Sequence, residues 1–221
     1  MGFDIEHWIK CFRTRVLVRL GRFDEARARI AEVLPIDPER ITPVVQFIPH
    51  AASVEMAWAL GEPDMARRHA ARVDELARQS AMPYLRVTAI ACDGLAKATA
   101  GDFEAGAQDI RAAIDFGRGS RSGLEYEGRM LADLAEIQYR AGKPELALEA
   151  AMEAIAVAKR RTDRVAEFHA TLMQGTIFAV GGRSNEAAGL LEQADQLSRA
   201  SGAMFFEPLL SRLRLHLERC I

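Results

Sequence analysis

Asp133 and Glu136 stand three positions apart, one helical turn, and two carboxylates on one helical face are raw material for general acid–base catalysis. Catalysis also needs an orienting partner, or a nucleophile in a closed pocket. The sequence places no such group beside them, so the pair reads as part of a charged wall and the chain as non-catalytic. His7, His50, His69, His169 and His216 are scattered, with no pair at i, i+4. A convergent metal-ligand set is therefore not expected, and neither is a cofactor. Lys159-Arg160-Arg161 with Arg164 is a candidate phosphate contact. It closes a helix, however, where solvated cations are expected, and a formal net charge of -2 supplies no bulk attraction to nucleic acid or an anionic membrane. The basic, glycine-rich segment Gly117-Arg118-Gly119-Ser120-Arg121-Ser122-Gly123 follows no strand and ends in no lysine-serine pair. It does not match a phosphate-binding loop and reads as a flexible connector.

Cys11, Cys92 and Cys220 form no short-spaced pair, so neither a zinc knuckle nor a disulfide framework is indicated. Reduced thiols, no apolar run of about 18 residues and no secretory leader pattern point to a cytoplasmic chain without membrane contact. Its 221 residues, 49% hydrophobic and 27% charged, suffice for a continuous core.

The elements that position these residues recur at a fixed period. Gly21, Gly61, Gly101, Gly142 and Gly182 are separated by 40, 40, 41 and 40 residues. Each closes one helix and is followed by the start of another, with Pro63 and Pro144 in first-turn positions and acids such as Asp24, Asp64, Glu104, Glu145 and Glu186 near the positive end of the dipole. The first helix, 4–20, carries Ile5, Trp8, Ile9, Phe12, Val16 and Leu20 on one side. Ile36 to Thr42 reads as a loop, interrupted by prolines. Seven residues before each glycine stand Thr14, Val54, Gly94, Ala135 and Gly175, and five after it Ala26, Ala66, Gly106, Ala147 and Ala187. Small residues at facing positions predict tightly packed helical hairpins.

This pattern of small residue, Gly, aromatic and Ala, as in Gly94, Gly101, Phe103 and Gly106, resembles the tetratricopeptide repeat. The family's standard unit is ~34 residues, so both helices of these 40-residue units are expected to be longer. The long variety resembles C-terminal arrays of bacterial multidomain regulators, including ATPase-linked transcription activators and some adenylate cyclases. The resemblance implies an all-α, right-handed α-solenoid of about five antiparallel helix pairs plus a C-terminal capping helix. It would form one domain over 1–221, with units 4–42, 43–82, 83–123, 124–163 and 164–203 and the cap at 205–220.

The resemblance also implies that the first helix of each pair lines a concave groove. The motif maps Trp8, Arg15 and Arg19 of unit one and Glu55 and Trp58 of unit two to that groove. Arg129, Asp133, Glu136, Tyr139 and Arg140 of unit four and His169, Met173 and Thr176 of unit five follow. Aromatics beside arginines suit a protein or peptide partner, and packing of Trp8 and Trp58 between helices is the equal alternative. The Lys and Asn by which some family members grip a peptide carboxylate are absent there. The expected function is a non-catalytic protein–protein interaction scaffold, the regulatory part of a bacterial signalling or transcription-regulatory protein. The alternative is a receptor for a peptide or small metabolite. In the last helix Leu209, Leu210, Leu213 and Leu217 face inward, while Leu215 and Ile221, with Met204, Phe205 and Phe206, are expected to stay exposed and mark a homodimer interface or a contact with a neighbouring domain.

Overall fold

Gly21, Gly61, Gly101, Gly142 and Gly182 all hold positive φ, between 68° and 91°, and each ends a helix. At each one the following N–H bonds back to a carbonyl five residues earlier (Arg22 to Leu17, Glu62 to Ala57, Asp102 to Lys97, Lys143 to Gln138, Arg183 to Phe178), which satisfies carbonyls the helix end would leave open. The computed structural model describes residues 5–35 and 41–219. Among them are α1 (Ile5–Arg19), α2 (Phe23–Val33), α3 (Pro43–Leu60), α4 (Pro63–Ser80), α5 (Pro83–Thr99), α6 (Phe103–Ser120), α7 (Glu127–Arg140), α8 (Pro144–Arg161), α9 (Arg164–Val180), α10 (Ser184–Ser201) and α11 (Glu207–Glu218). A 3-10 turn at Leu124–Tyr126 precedes α7, and no strand occurs among the described residues. The fold is all-α, as the repeat implies. No helix among the described residues is long and apolar enough to cross a membrane.

A second series of left-handed caps lies half a period out of step. Ala81, Arg121 and Thr162, at φ 49°, 51° and 57°, and Gly202 at 67° close α4, α6, α8 and α10. Three of the four are not glycine, so these ends carry no sequence marker. The distance from cap to next glycine is 20 residues from Ala81 to Gly101 and from Thr162 to Gly182, but 21 from Arg121 to Gly142. The extra residue of the long repeat therefore lies just after Arg121. The connector expected over 117–123 is shorter than that: α6 runs through Ser120, with Gly117 buried against the chain's own return at Ser122. A Cβ on Gly117 would lie 3.0 Å from the Ser122 carbonyl oxygen and 3.6 Å from Val87 of α5, whereas one on Gly119 would meet nothing within 4 Å.

The chain divides into two compact units, Met1–Gly123 and Leu124–Ile221, at the boundary between the third and fourth repeats. In the first, α1 packs on α2 and α3, α3 on α4 and α5, and α5 on α4 and α6. The α5–α6 contact is tightest where Gly94 meets Gly106: a Cβ on Gly94 would lie 2.9 Å from the Gly106 carbonyl oxygen, and one on Gly106 2.8 Å from that of Gly94. Thr14, Val54, Ala26 and Ala66 are fully buried at the matching positions of the other hairpins. In the second unit α7 packs on α8 and α9, α9 on α8 and α10, and α11 covers α9 and α10 with Leu210, Leu213 and Leu217. Leu213 comes so close to Gly175 that a Cβ there would stand 2.9 Å from its methyl. Asp102 and Asp163 cap α6 and α9 by accepting from the N–H of Ala105 and of Val165 and Ala166.

Two expectations about exposure change. Phe205 and Phe206 lie before α11 rather than in it, and both are buried, whereas Met204 and Leu215 are exposed. The apolar side of α1 does gather Ile5, Ile9, Phe12 and Val16, yet it faces outward; Cys11, Thr14, Arg15, Leu17 and Val18 form the buried face. Most of the loop expected at 36–42, including Ile36 and Pro38, lies outside the described residues, as do Cys220 and Ile221.

Candidate functional site

In the second unit, successive turns of α7 present Arg129, Asp133, Glu136 and Arg140 toward α9 and the turn before α11. Helical spacing places all four on one side. Glu136 sits 2.9 Å from His169 Nε2 and also accepts from Arg140. Asp133 Oδ1 lies 3.7 Å from His169 Nδ1, and the other Asp133 oxygen lies 3.8 Å from Arg129 Nε. Asp133, Glu136, Arg129 and His169 are buried, and the His169 ring stacks on Phe206 at 4.1 Å with 17° between planes. Phe205 takes the Arg129 guanidinium over its face at 5.7 Å. Burial alone would raise the Glu136 carboxyl, but the hydrogen bond and charge of His169, with Arg140, hold it below the usual range. These acids are internal counter-ions: their oxygens face bases and stacked rings rather than a reacting centre.

The same three helices form a cavity of about 260 Å³ beside this network, lined by Tyr139 of α7, Thr176, Ala179 and Val180 of α9, and Leu209, Arg212, Leu213 and His216 of α11. Tyr139 and Thr176 are thus the two groove positions that reach an open space here. His216 Nε2 lies 3.3 Å from the Ala179 carbonyl, which fixes its ring at the cavity wall.

In the first unit, Arg15 donates through Nε and Nη2 to Glu55 Oε1, at 3.0 and 2.7 Å, and Arg19 Nε lies 3.8 Å from the second oxygen. Arg15 and Glu55 are buried, and so is Trp58; Trp8 is half-buried and stacks on Phe12 at 5.4 Å. Of the thirteen groove candidates, Arg15, Glu55, Trp58, Arg129, Asp133, Glu136, His169 and Met173 are therefore enclosed. Trp8, Arg19, Tyr139, Arg140 and Thr176 keep some exposure.

Sequence reasoning missed two juxtapositions. His50 and His69, 19 residues apart, meet with their Nδ1 atoms 2.8 Å apart between α3 and α4. The signal was present: the hairpin register that brings position -7 onto +5 also brings -11 near +8, counted from the closing glycine. The contribution of Phe205 and Phe206 to the ion network had no such signal, because they follow the last repeat. A groove of about 710 Å³ on α4, α5 and α6 was also not foreseen; its floor includes Ala70, Ala89 and Ala96, and its walls carry Arg67, Asp74 and Lys97. Among the described residues no three histidine, cysteine or acidic groups come together to hold a metal ion.

No family model matches the chain, and no curated protein matches it. Solved structures share the fold, and two of them give the measure of the likeness. One is a signal transduction ATPase with numerous domains from Pyrococcus horikoshii that carries a tetratricopeptide repeat sensor, at TM-score 0.59 and 15% identity over 93% of this chain. This chain spans 30% of that protein. The other is the apo form of RapI, at TM-score 0.61 and 13% identity, covering 99% of this chain and 87% of RapI. At these identities the likeness is one of fold: the chain has the fold of a tetratricopeptide-like helical repeat.

Proposed function

We propose that the chain is a non-catalytic protein-interaction module whose ligand is a peptide segment of another protein, with residues 1–221 working as one repeat domain. The observation that carries this reading is the cavity where α7, α9 and α11 converge. It offers a half-buried tyrosine, apolar walls from Val180, Leu209 and Leu213, and the basic side chains Arg212 and His216. Aromatic and arginine side chains at a partly desolvated pocket suit an apolar anchor residue next to an acidic one. The buried acids of α7 support a structural rather than a chemical role, since each faces a base.

The long repeats resemble arrays in bacterial regulators, and one fold neighbour carries its repeats as a sensor. A regulatory part of a signalling or transcription-regulatory protein is therefore the setting we propose, in the cytoplasm, where Cys11 and Cys92 would persist as buried thiols outside any disulfide. Selection of displayed peptides on the wild type, repeated with Tyr139→Ala and with Arg212→Glu, tests the reading. Binders should share an apolar residue beside an acidic one and lose most affinity with either variant. Binders indifferent to both variants would overturn it.

A small-metabolite receptor is the second reading, favoured by the groove of about 710 Å³, which falls in the size range of ligand pockets. A compound that raises the melting temperature of the wild type, but not of Ala71→Trp in the groove wall, would support it.

A further inference from the structure

The groove on α4, α5 and α6 is open because its residues depart from those at matching positions elsewhere in the array. Counted from the closing glycines, positions +10 and +13 on α4, -5 and -4 on α5 and +8 on α6 are Ala71, Asp74, Ala96, Lys97 and Asp109. On α8, α9 and α10 the same positions hold Met152, Ile155, Ile177, Phe178 and Leu190. One repeat earlier, position +8 is His69, which closes on His50. Alanine and ionic side chains thus replace bulk here, leaving about 710 Å³ over the buried Ala70, Ala89 and Ala96.

The six charged residues that line this groove are all ion-paired, but the pairs do not balance locally. Asp74 answers two cations, Arg78 at 3.0 Å and Arg86 at 3.2 Å, so one positive charge is left over where α5 begins. Lys97 answers two anions, Asp93 at 2.8 Å and Asp109 at 2.6 Å, so one negative charge is left over further along. The bonds to Asp109 and Asp93 hold the Lys97 pKa above its usual value, so the ammonium stays charged in this cluster. Arg67 and Asp64 cancel each other at 2.6 Å. Arg86 and Asp93 are seven residues apart on α5, about 10 Å along the helix.

We propose that this groove binds a linear zwitterion, with its carboxylate beside Arg86, its ammonium beside Asp93 and Asp109 about 10 Å away, and an apolar body over the alanine floor. This names the ligand class for the receptor reading of the groove, on which it rests. Charge complementarity selects the occupant: an anion or a cation alone would be attracted at one end and repelled at the other. A neutral apolar compound would gain nothing from either cluster. A tripeptide with free ends, at about 3.3–3.6 Å per residue, is one source of this chemistry, and an unbranched ω-amino acid is another.

Titration calorimetry on the full chain tests this with trialanine and ω-aminooctanoate as probes. At least one should bind the wild type, and neither should bind Ala71→Trp, whose indole occupies the groove. Acetylating the probe's amine, or converting its carboxylate to the amide, should each weaken binding several-fold. Asp93→Asn should remove the penalty of acetylation and keep that of amidation, and Arg86→Gln should do the reverse. Mere loss of folding would not produce that crossed pattern. Tighter binding of trialanine would identify a peptide as the source and tighter binding of ω-aminooctanoate an alkyl amino acid; either supports the proposal. Equal binding of capped and uncapped probes would overturn it, as would binding of neither probe. In that last case, a neutral compound that stabilises the wild type but not Ala71→Trp would keep the groove as a receptor site and strike only the ligand class.

Discussion

The Nδ1 atoms of His50 and His69 lie 2.8 Å apart, so one imidazole donates its proton to the bare nitrogen of the other, and the accepting ring must stay neutral. Burial, the facing His69 and nearby Arg72 lower the His50 pKa from 6.5 to about 4, and burial with Arg68 lowers that of His69. In the unfolded chain these rings take up protons near the ordinary value. Acid therefore favours unfolding, and this stability is complete above about pH 6.5 and lost toward pH 4. His50 alone should contribute up to about 3 kcal/mol to the stability difference between neutral pH and the acid end of that window. Urea unfolding at pH 7 and pH 5 should show a clear loss in the wild type and a much smaller one in His50→Gln.

The Gly94–Gly106 crossing leaves no room for a side chain. Gly94→Ala should cost about 1–3 kcal/mol by forcing α5 and α6 apart, and Gly94→Leu more. Thermal unfolding would register either; an unchanged melting temperature for Gly94→Leu would contradict the contact.

Thr162 is a β-branched residue at φ 57°, where a side chain is strained. Thr162→Gly should raise stability by roughly 0.5–1 kcal/mol, the strain relieved less the added chain entropy of glycine. The same change at Gly-occupied Gly202 has no counterpart, so the gain should be confined to the non-glycine caps. Denaturant midpoints of Thr162→Gly and Arg121→Gly would measure it.

Removing one member of the buried α7 network leaves another charge unanswered. Glu136→Ala should destabilise by about 3 kcal/mol, and Glu136→Gln by less, because the amide still reaches His169. The depressed Glu136 carboxyl adds stability above the ordinary carboxylate range that is lost as pH falls through its folded value. The variants should accordingly flatten the acid limb below about pH 4.5.

The helical repeat was legible because its markers are steric. Five glycines at positive φ and three pairs of small residues, Gly94 with Gly106, Ala135 with Ala147 and Gly175 with Ala187, record where backbones turn or touch, and those constraints act on residue type directly. The half-period caps were not legible, because Ala81, Arg121 and Thr162 tolerate a conformation that their types do not announce. The groove candidates were legible as a helical face but not as an environment. Arg15 and Glu55, or Glu136 and His169, are charged by sequence and enclosed by structure, and only the long-range partner decides which. Trp58 went to the core, as one of the two readings of the tryptophans held. The α1 stripe showed the converse, an apolar face without a cover.

The enclosure of Asp133 and Glu136 bears on how this protein would look to a reagent. A carbodiimide activates carboxyl groups that water can reach and bring to protonation. Among the described acidic side chains, Glu55, Glu127, Asp133 and Glu136 sit buried against cations or an imidazole. A labelling map read by mass spectrometry should show these four silent in the native protein and reactive only after urea is added, with Asp64 and Glu75, in surface ion pairs, modified from the start. The two acids that suggest catalysis in the sequence would then be among those chemistry reaches last.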